Sequence, residues 1–261
     1  MPLQFAPNLS MLYSEVPFLD RFERAAKAGF RAVEFLFPYD FAKGEIRARL
    51  EQFGLQAVLF NINPGDVSRN ERGSMGDPDR RDFFRQTFEQ ALDYATYLNV
   101  PRIHMMIGNV NPAYHQEEQL SCALENLAWA APMAASVNVN LLIEPLNATD
   151  MPEYLIHTHA DGMRIVNGAN QPNVKLQFDV YHTQMTEGNL ITRLNRLYPH
   201  VGHIQISDVP GRHQPGTGEI NYPAIFAAIE RLGYAGPIGL EYRPLGESDA
   251  SLAWLPLEAR R

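Results

Sequence analysis

Four oxygen-bearing side chains stand out because each sits at or near the end of an apolar run of strand length: Glu144 in LLIEPLN, Asp179 in VKLQFD, Gln205 in VGHIQIS and Glu241 in PIGLEY. Three carboxylates and one amide oxygen make a hard donor set, suited to Mg2+ or Mn2+ rather than to zinc. Brought together, such carboxylates repel and raise one another's pKa unless a cation sits among them. Near-octahedral coordination with four protein ligands leaves about two positions, which fit two adjacent oxygens of an α-hydroxy carbonyl compound. That chelation acidifies the carbon-bound proton beside the carbonyl, and a neighbouring carboxylate can remove it. Passing a proton between adjacent carbons takes one base that swings or two that face each other. Glu144 and Glu241, on the outer two of the four runs, are the natural pair.

These residues need a frame that gathers strand ends. The chain alternates strand and helix throughout, with strands at LQFAPNL, RAVEFLF, LQAVLFN, RIHMMIG, NLLIEP, VKLQFD, GHIQIS and PIGLEY. Helices are predicted at residues 17–28, 41–53, 77–98, 116–137, from 158 or 159 to 166, 189–197 and 222–232, with a short one from residue 248. Gly29, Gly54 and Gly233 supply helix stops, and Pro145 ends the fifth strand directly after Glu144. Eight strand–helix units in 261 residues, near the ~250 typical of the architecture, predict an α/β fold of (β/α)8 barrel type. It would form a single domain over residues 1–261. The C-terminal strand ends of such a barrel meet at one rim, where Glu144, Asp179, Gln205 and Glu241 would converge. A doubly wound open sheet is the competitor. Its usual glycine-rich first turn is missing, since the turn here is PNLSML, and no G-x-G-x-x-G or P-loop pattern occurs, so no nucleotide cofactor is expected.

Composition narrows the partners. No apolar run approaches the ~20 residues of a bilayer span, and MPLQFAPNLS lacks the basic and apolar regions of a secretory signal, so a soluble, cytoplasmic protein is expected. A net charge of −8 without a Lys/Arg cluster gives no footprint for nucleic acid and disfavours an acidic membrane surface. Small molecules are the expected partners, and homo-oligomerisation stays open. The single cysteine, Cys122, lies at helical spacing in SCALENLAWA and reads as a packed thiol.

Several motifs, in order, carry a resemblance: EFLFPY after the second strand, NINPGD followed by ERG at residues 71–73, IEPLN, FDVYH, HIQISDVPGRHQPGTGEINY and GLEYRP. From about Phe5 to Trp254 the chain resembles the hydroxypyruvate isomerase family of the xylose-isomerase-like TIM barrels. The resemblance implies acid/base roles for Glu144 and Glu241 and a divalent-metal site of Glu144, Asp179, Gln205 and Glu241. The implied reaction interconverts hydroxypyruvate and tartronate semialdehyde through an enediol. Ketose 3-epimerases of the same superfamily commonly have histidine where Gln205 stands, and isomerases of longer 2-oxo acids such as 2-oxotetronates share the chemistry at the reacting carbons. A repair nuclease would need a cluster of metal-binding histidines and a basic face, neither of which is evident in the sequence. A non-enzymatic sugar-acid-binding barrel is the alternative of a different class.

An acid substrate needs a cation or hydrogen-bond donors for its carboxylate. Arg212, in the loop after the seventh strand, is the first candidate, against the reading of a solvated loop arginine. His182 matches a substrate-contacting histidine of the epimerases and could equally be a packed residue. Glu34 and His104 either line the barrel mouth or satisfy a buried hydrogen bond. The loop of residues 62–76 is long enough to be a lid, in which case Arg72 would close over the substrate.

Overall fold

The computed structural model describes residues 3–260; Met1, Pro2 and Arg261, which the expected domain 1–261 includes, lie outside the described residues. The strands are β1 (Gln4–Pro7), β2 (Ala32–Glu34), β3 (Gln56–Asn61), β4 (Arg102–His104), β5 (Asn140–Ile143), β6 (Val174–Asp179), β7 (Val201–Ile206) and β8 (Pro237–Leu240). The helices are α1 (Phe18–Lys27), α2 (Lys43–Phe53), α3 (Arg81–Leu98), α4 (Gln116–Ser136), α5 (His159–Ala169), α6 (Val180–Thr186), α7 (Leu190–Leu197), α8 (Tyr222–Leu232) and α9 (Ser248–Ser251). The strands form one eight-stranded sheet in the order β1-β8-β7-β6-β5-β4-β3-β2. Asn8, just past β1, bridges in parallel to Glu34 at the end of β2, so the ladder returns to its start. This is the (β/α)8 barrel topology expected from the alternation. No helix among the described residues is long and apolar enough to cross a membrane.

Two compact units divide the chain, and each boundary falls inside a strand: one runs through Leu59 and resumes at Phe178, the other is Phe60–Gln177. Within the first, β1 pairs with β8 (Phe5↔Ile238), β7 with β8 (Gln205↔Gly239) and β2 with β3 (Ala32↔Gln56), all parallel. The apolar strand residues Ile204, Ile206, Ile238 and Leu240 are completely buried. Helix α8 shows why its sequence folds as it does. Asn221 accepts a hydrogen bond from the Ala224 amide, Pro223 occupies the first turn, Ile225, Ala228 and Ile229 face inward, and Gly233 takes a left-handed φ of 72° to end it.

Within the second unit, β4 pairs with β5 (Ile103↔Leu141) and β5 with β6 (Ile143↔Leu176). Helix α3 buries Phe84, Phe88, Ala91, Ala95 and Leu98, a spacing of three and four that places one face on the core. The fourth strand is shorter than RIHMMIG predicts. The Met105 amide still donates to Leu142 O of β5 at 2.8 Å, and beyond it the backbone bonds with loops, with Gly76 N donating to Ile107 O at 2.7 Å and Leu155 N to Gly108 O at 3.0 Å. The helix predicted from residue 77 opens instead as a 3-10 turn, Pro78–Arg80, before α3.

Candidate active site

Three of the four strand-end oxygens lie in the first unit. Asp179 closes β6 and its carboxylate accepts from the Tyr181 amide at 2.7 Å, which caps α6. Glu241 follows β8 directly. Both carboxylates are nearly inaccessible, at 2% and 5% exposure, and burial alone raises the pKa of each. Arg212 opposes this. Its Nη2 lies 2.6 Å from Glu241 Oε2 and 3.5 Å from Asp179 Oδ2, while its guanidinium packs over the Tyr181 ring at 5.1 Å. Burial still wins at Asp179, which with the added repulsion of Glu241 is pushed up to about 7. The Glu241 carboxyl is held above the ordinary range by burial, with Arg212 pulling down and Glu34 pushing up.

The loop that carries Arg212 is built around one buried carboxylate. Asp208 accepts from the amides of Val209, Gly216, Gly218 and Ile220 at 2.9–3.1 Å, and Arg212 itself has a left-handed φ of 58°. A Cβ at Gly218 would stand 2.0 Å from Val209 O, so only glycine allows this closure. Arg212 is therefore a fastened residue aimed at carboxylates rather than a solvated one.

Behind Glu241 lies a polar group at the strand level. Gln205 Nε2 donates to Glu34 Oε1 at 2.7 Å, His203 Nε2 lies 2.7 Å from Glu34 Oε2, and Asn8 Nδ2 donates to Glu34 Oε1 at 3.2 Å and to Glu241 Oε1 at 3.4 Å. Glu34 and His203 are fully buried. Gly239 on β8 makes room for this group: a Cβ there would come within 2.5 Å of Glu34 Oε2 and 2.7 Å of Gln205 Cγ. His182, on α6, is buried with Nε2 3.8 Å from Asp179 Oδ2, beyond hydrogen-bonding distance, and its ring meets Tyr181 edge-on.

The fourth oxygen belongs to the second unit. Glu144 follows β5, is 4% exposed, and accepts from Gln177 Nε2 at 3.0 Å through its Oε2. Gln177 stands two residues before Asp179 on β6. His104 Nδ1 approaches Glu144 Oε2 to 3.3 Å without hydrogen-bond geometry. A carboxylate that close would favour the imidazolium, but burial outweighs it and pushes the His104 pKa down to about 3, so the ring is neutral. The Tyr154 hydroxyl accepts from the Ile107 amide at 3.0 Å, and burial together with the Glu144 charge raises its pKa.

Arg72 is placed in its own loop. Its Nη1 donates to Glu71 O at 2.8 Å. The loop is fastened by Glu71 Oε2, which accepts from Arg80 Nη2 and from the Asp66 amide at 2.9 Å each, and by the Gly73 bridge to Ile107. The structure adds Asn8, His203 and Gln177 to the residues expected from the sequence. His203 had a signal, since it precedes Gln205 by two residues on β7 and shares its face.

The donor set tests well for a hard divalent cation. In the first unit two carboxylates and the Gln205 amide come from neighbouring strand ends, and Asp179 is pushed toward neutrality in a way that a bound cation would relieve.

Residues 22–257 match the family model of the xylose isomerase-like TIM barrel. The chain belongs to that family. It is 48% identical over 252 residues to the 2-oxo-tetronate isomerase of Cupriavidus necator, with 97% of each chain covered. It is 38% identical over 253 residues to the hydroxypyruvate isomerase of Escherichia coli, covering 97% of this chain and 98% of that one. A crystal structure described as AP endonuclease, family 2, from Brucella melitensis superposes with a TM-score of 0.94 at 41% identity, covering 97% and 98%. Among the xylose isomerase-like TIM barrels, this chain is thus an isomerase of aldose–ketose type.

Proposed function

We propose that the chain moves a carbonyl between C2 and C3 of a short 2-oxo-3-hydroxy acid, with 2-oxo-tetronate as its first substrate and hydroxypyruvate as its second. The observation that carries the choice is the 48% identity along 97% of both chains with a 2-oxo-tetronate isomerase, against 38% with the hydroxypyruvate isomerase. Both substrates react at the same two carbons through an enediol, so the same residues serve either.

Glu144, Asp179, Gln205 and Glu241 are the ligands proposed for Mg2+ or Mn2+, which when bound offsets the negative charge that develops on the substrate oxygens. Glu144 and Glu241 are the acid and base, one taking the proton from C3 and the other delivering one to C2. Arg212 binds the substrate carboxylate. Because its guanidinium rests on Glu241 at 2.6 Å, an arriving carboxylate competes for it. Glu241 then loses the cation that held its pKa down, and becomes a stronger base as the substrate seats. His182, His104 and Arg72 are assigned lesser parts in binding. An endonuclease reading, suggested by the Brucella name, finds little support in a net charge of −8.

The test is NMR turnover of 2-oxo-tetronate and hydroxypyruvate by the purified chain, before and after chelation. The expected outcome is a higher kcat/KM for the four-carbon acid, loss of both activities with chelator, and recovery with Mn2+ or Mg2+. A higher kcat/KM for hydroxypyruvate would reassign the substrate, and turnover untouched by chelation would remove the cation.

A further inference from the structure

Glu34 is a fully buried carboxylate that the reaction does not use, yet three side chains converge on it: Gln205 at 2.7 Å, His203 at 2.7 Å and Asn8 at 3.2 Å. A carboxylate offers only acceptors, so the edge of the Gln205 amide that meets it must be the NH2 edge. Without such a partner an amide can present either end. A cation needs the oxygen.

We propose that Glu34 is a positioning residue, which holds the Gln205 NH2 group and thereby turns Gln205 Oε1 toward the cation site. His203 places a donor on the other Glu34 oxygen and so fixes the carboxylate plane. Asn8, donating to both Glu34 Oε1 and Glu241 Oε1, ties the same carboxylate to a second ligand. The missing side chain at Gly239 completes the arrangement, because a Cβ there would strike both Glu34 and Gln205. The chain thus holds two of its ligands from the strand level beneath them. This inference rests on the cation reading above.

The experiment is a calorimetric titration of Mn2+ alone into the full chain and its variants. Glu34→Gln replaces an acceptor with a group that can donate or accept, so the amide at 205 loses its fixed sense. Mn2+ binding should weaken by roughly 10- to 100-fold, the usual effect of removing a partner that orients a metal ligand. In a Gln205→Leu background the same substitution should cost nothing more, because it acts through Gln205. The swap Glu34→Gln/Gln205→Glu should recover binding over Glu34→Gln, since an amide at 34 then donates to a carboxylate at 205. Unchanged Mn2+ affinity in Glu34→Gln with a lowered melting temperature would show a structural role only and overturn the proposal, as would losses that add in the double variant. If Glu34→Gln does not fold, the swap decides: binding lost there overturns the proposal, and binding kept supports it. A wild-type chain that binds no Mn2+ removes the cation reading itself and this inference with it, a result distinct from a wild type that binds and a variant that binds equally well.

Discussion

The two units bury carboxylates in different ways. Around Asp179 and Glu241 a guanidinium lies at 2.6 Å from one and 3.5 Å from the other. Around Glu144 the neighbours on its own unit are an amide at 3.0 Å and a histidine whose pKa burial has pushed down to about 3. The described neighbours of Asp179 and Glu241 thus include a cation, and the two named for Glu144 are neutral. A fixed cation lowers the pKa of the acids beside it and can be drawn away by a competing anion, whereas neutral neighbours hold a carboxylate in place without tuning it by charge. If an arriving substrate carboxylate draws Arg212 away as proposed, Glu241 is the acid whose basicity changes on binding.

The largest effect should come from the carboxylates themselves. Glu144→Gln and Glu241→Gln should each lower isomerisation by roughly 10²- to 10⁴-fold at saturating metal, the contribution of a positioned general base. In D2O the two variants should part: the one that keeps the C3 base still washes deuterium into unreacted substrate, and the other does not. Identical exchange in both would break the comparison, since it would mean that the two glutamates act alike.

A smaller, sharper effect belongs to Arg212. Arg212→Ala should raise KM for an acid substrate by roughly tenfold or more, the loss of a charged hydrogen bond, and lower kcat less. It should also move the acid limb of kcat/KM to higher pH, because the guanidinium holds Asp179 and Glu241 down in the free enzyme. The acid limb of kcat should move less if, as proposed, the substrate carboxylate takes the guanidinium in the complex. A collapse of kcat at constant KM would place Arg212 on the reacting atoms instead.

Sequence legibility follows the same divide between local and distant causes. Strand β6 and helix α8 match their expected ranges, 174–179 and 222–232, because a short, mostly buried strand run or a cap–proline–glycine frame is written in adjacent residues. Helix α6 escaped notice: VYHTQMT has no apolar period, and its start is fixed by the Asp179 side chain, a residue read only for its chemistry. The second strand, expected over RAVEFLF, ends at Glu34, where its register against β3 shifts. The grouping of Glu34 with Gln205 and His203 joins residues 171 and 169 positions apart, and no local pattern announces such a meeting. Residue type alone left Glu34 with two readings, and only its partners separate them. The 62–76 loop has the length of a lid, and Glu71 and the Gly73 bridge to Ile107 are contacts that its sequence alone does not show.

An effect on stability rather than on turnover concerns His104. Its folded pKa, about 3, lies below the ordinary 6.5, so the unfolded chain binds a proton that the folded one refuses. Stability from this group is complete above pH 6.5 and is lost as pH falls from 6.5 toward 3. At pH 5 the loss is on the order of 2 kcal/mol. His104→Gln, compared with wild type by urea unfolding at pH 5 and pH 7, should therefore show the weaker dependence on pH. An equal slope in both proteins would mean that folding leaves the His104 pKa unchanged, and a slope of opposite sign would mean that the ring is protonated in the fold beside Glu144.

Gly239 has a consequence for how this chain could have changed over descent. Its absent methyl is the space into which the Glu34 carboxylate projects, so the residues at 34 and 239 share one volume. An alanine at 239 is admissible only after position 34 has shortened, and a long side chain at 34 only while 239 stays bare. Substitutions at the two positions are therefore coupled, and because a Cβ at 239 would also come within 2.7 Å of Gln205 Cγ, shortening position 34 clears only part of the space that an alanine needs.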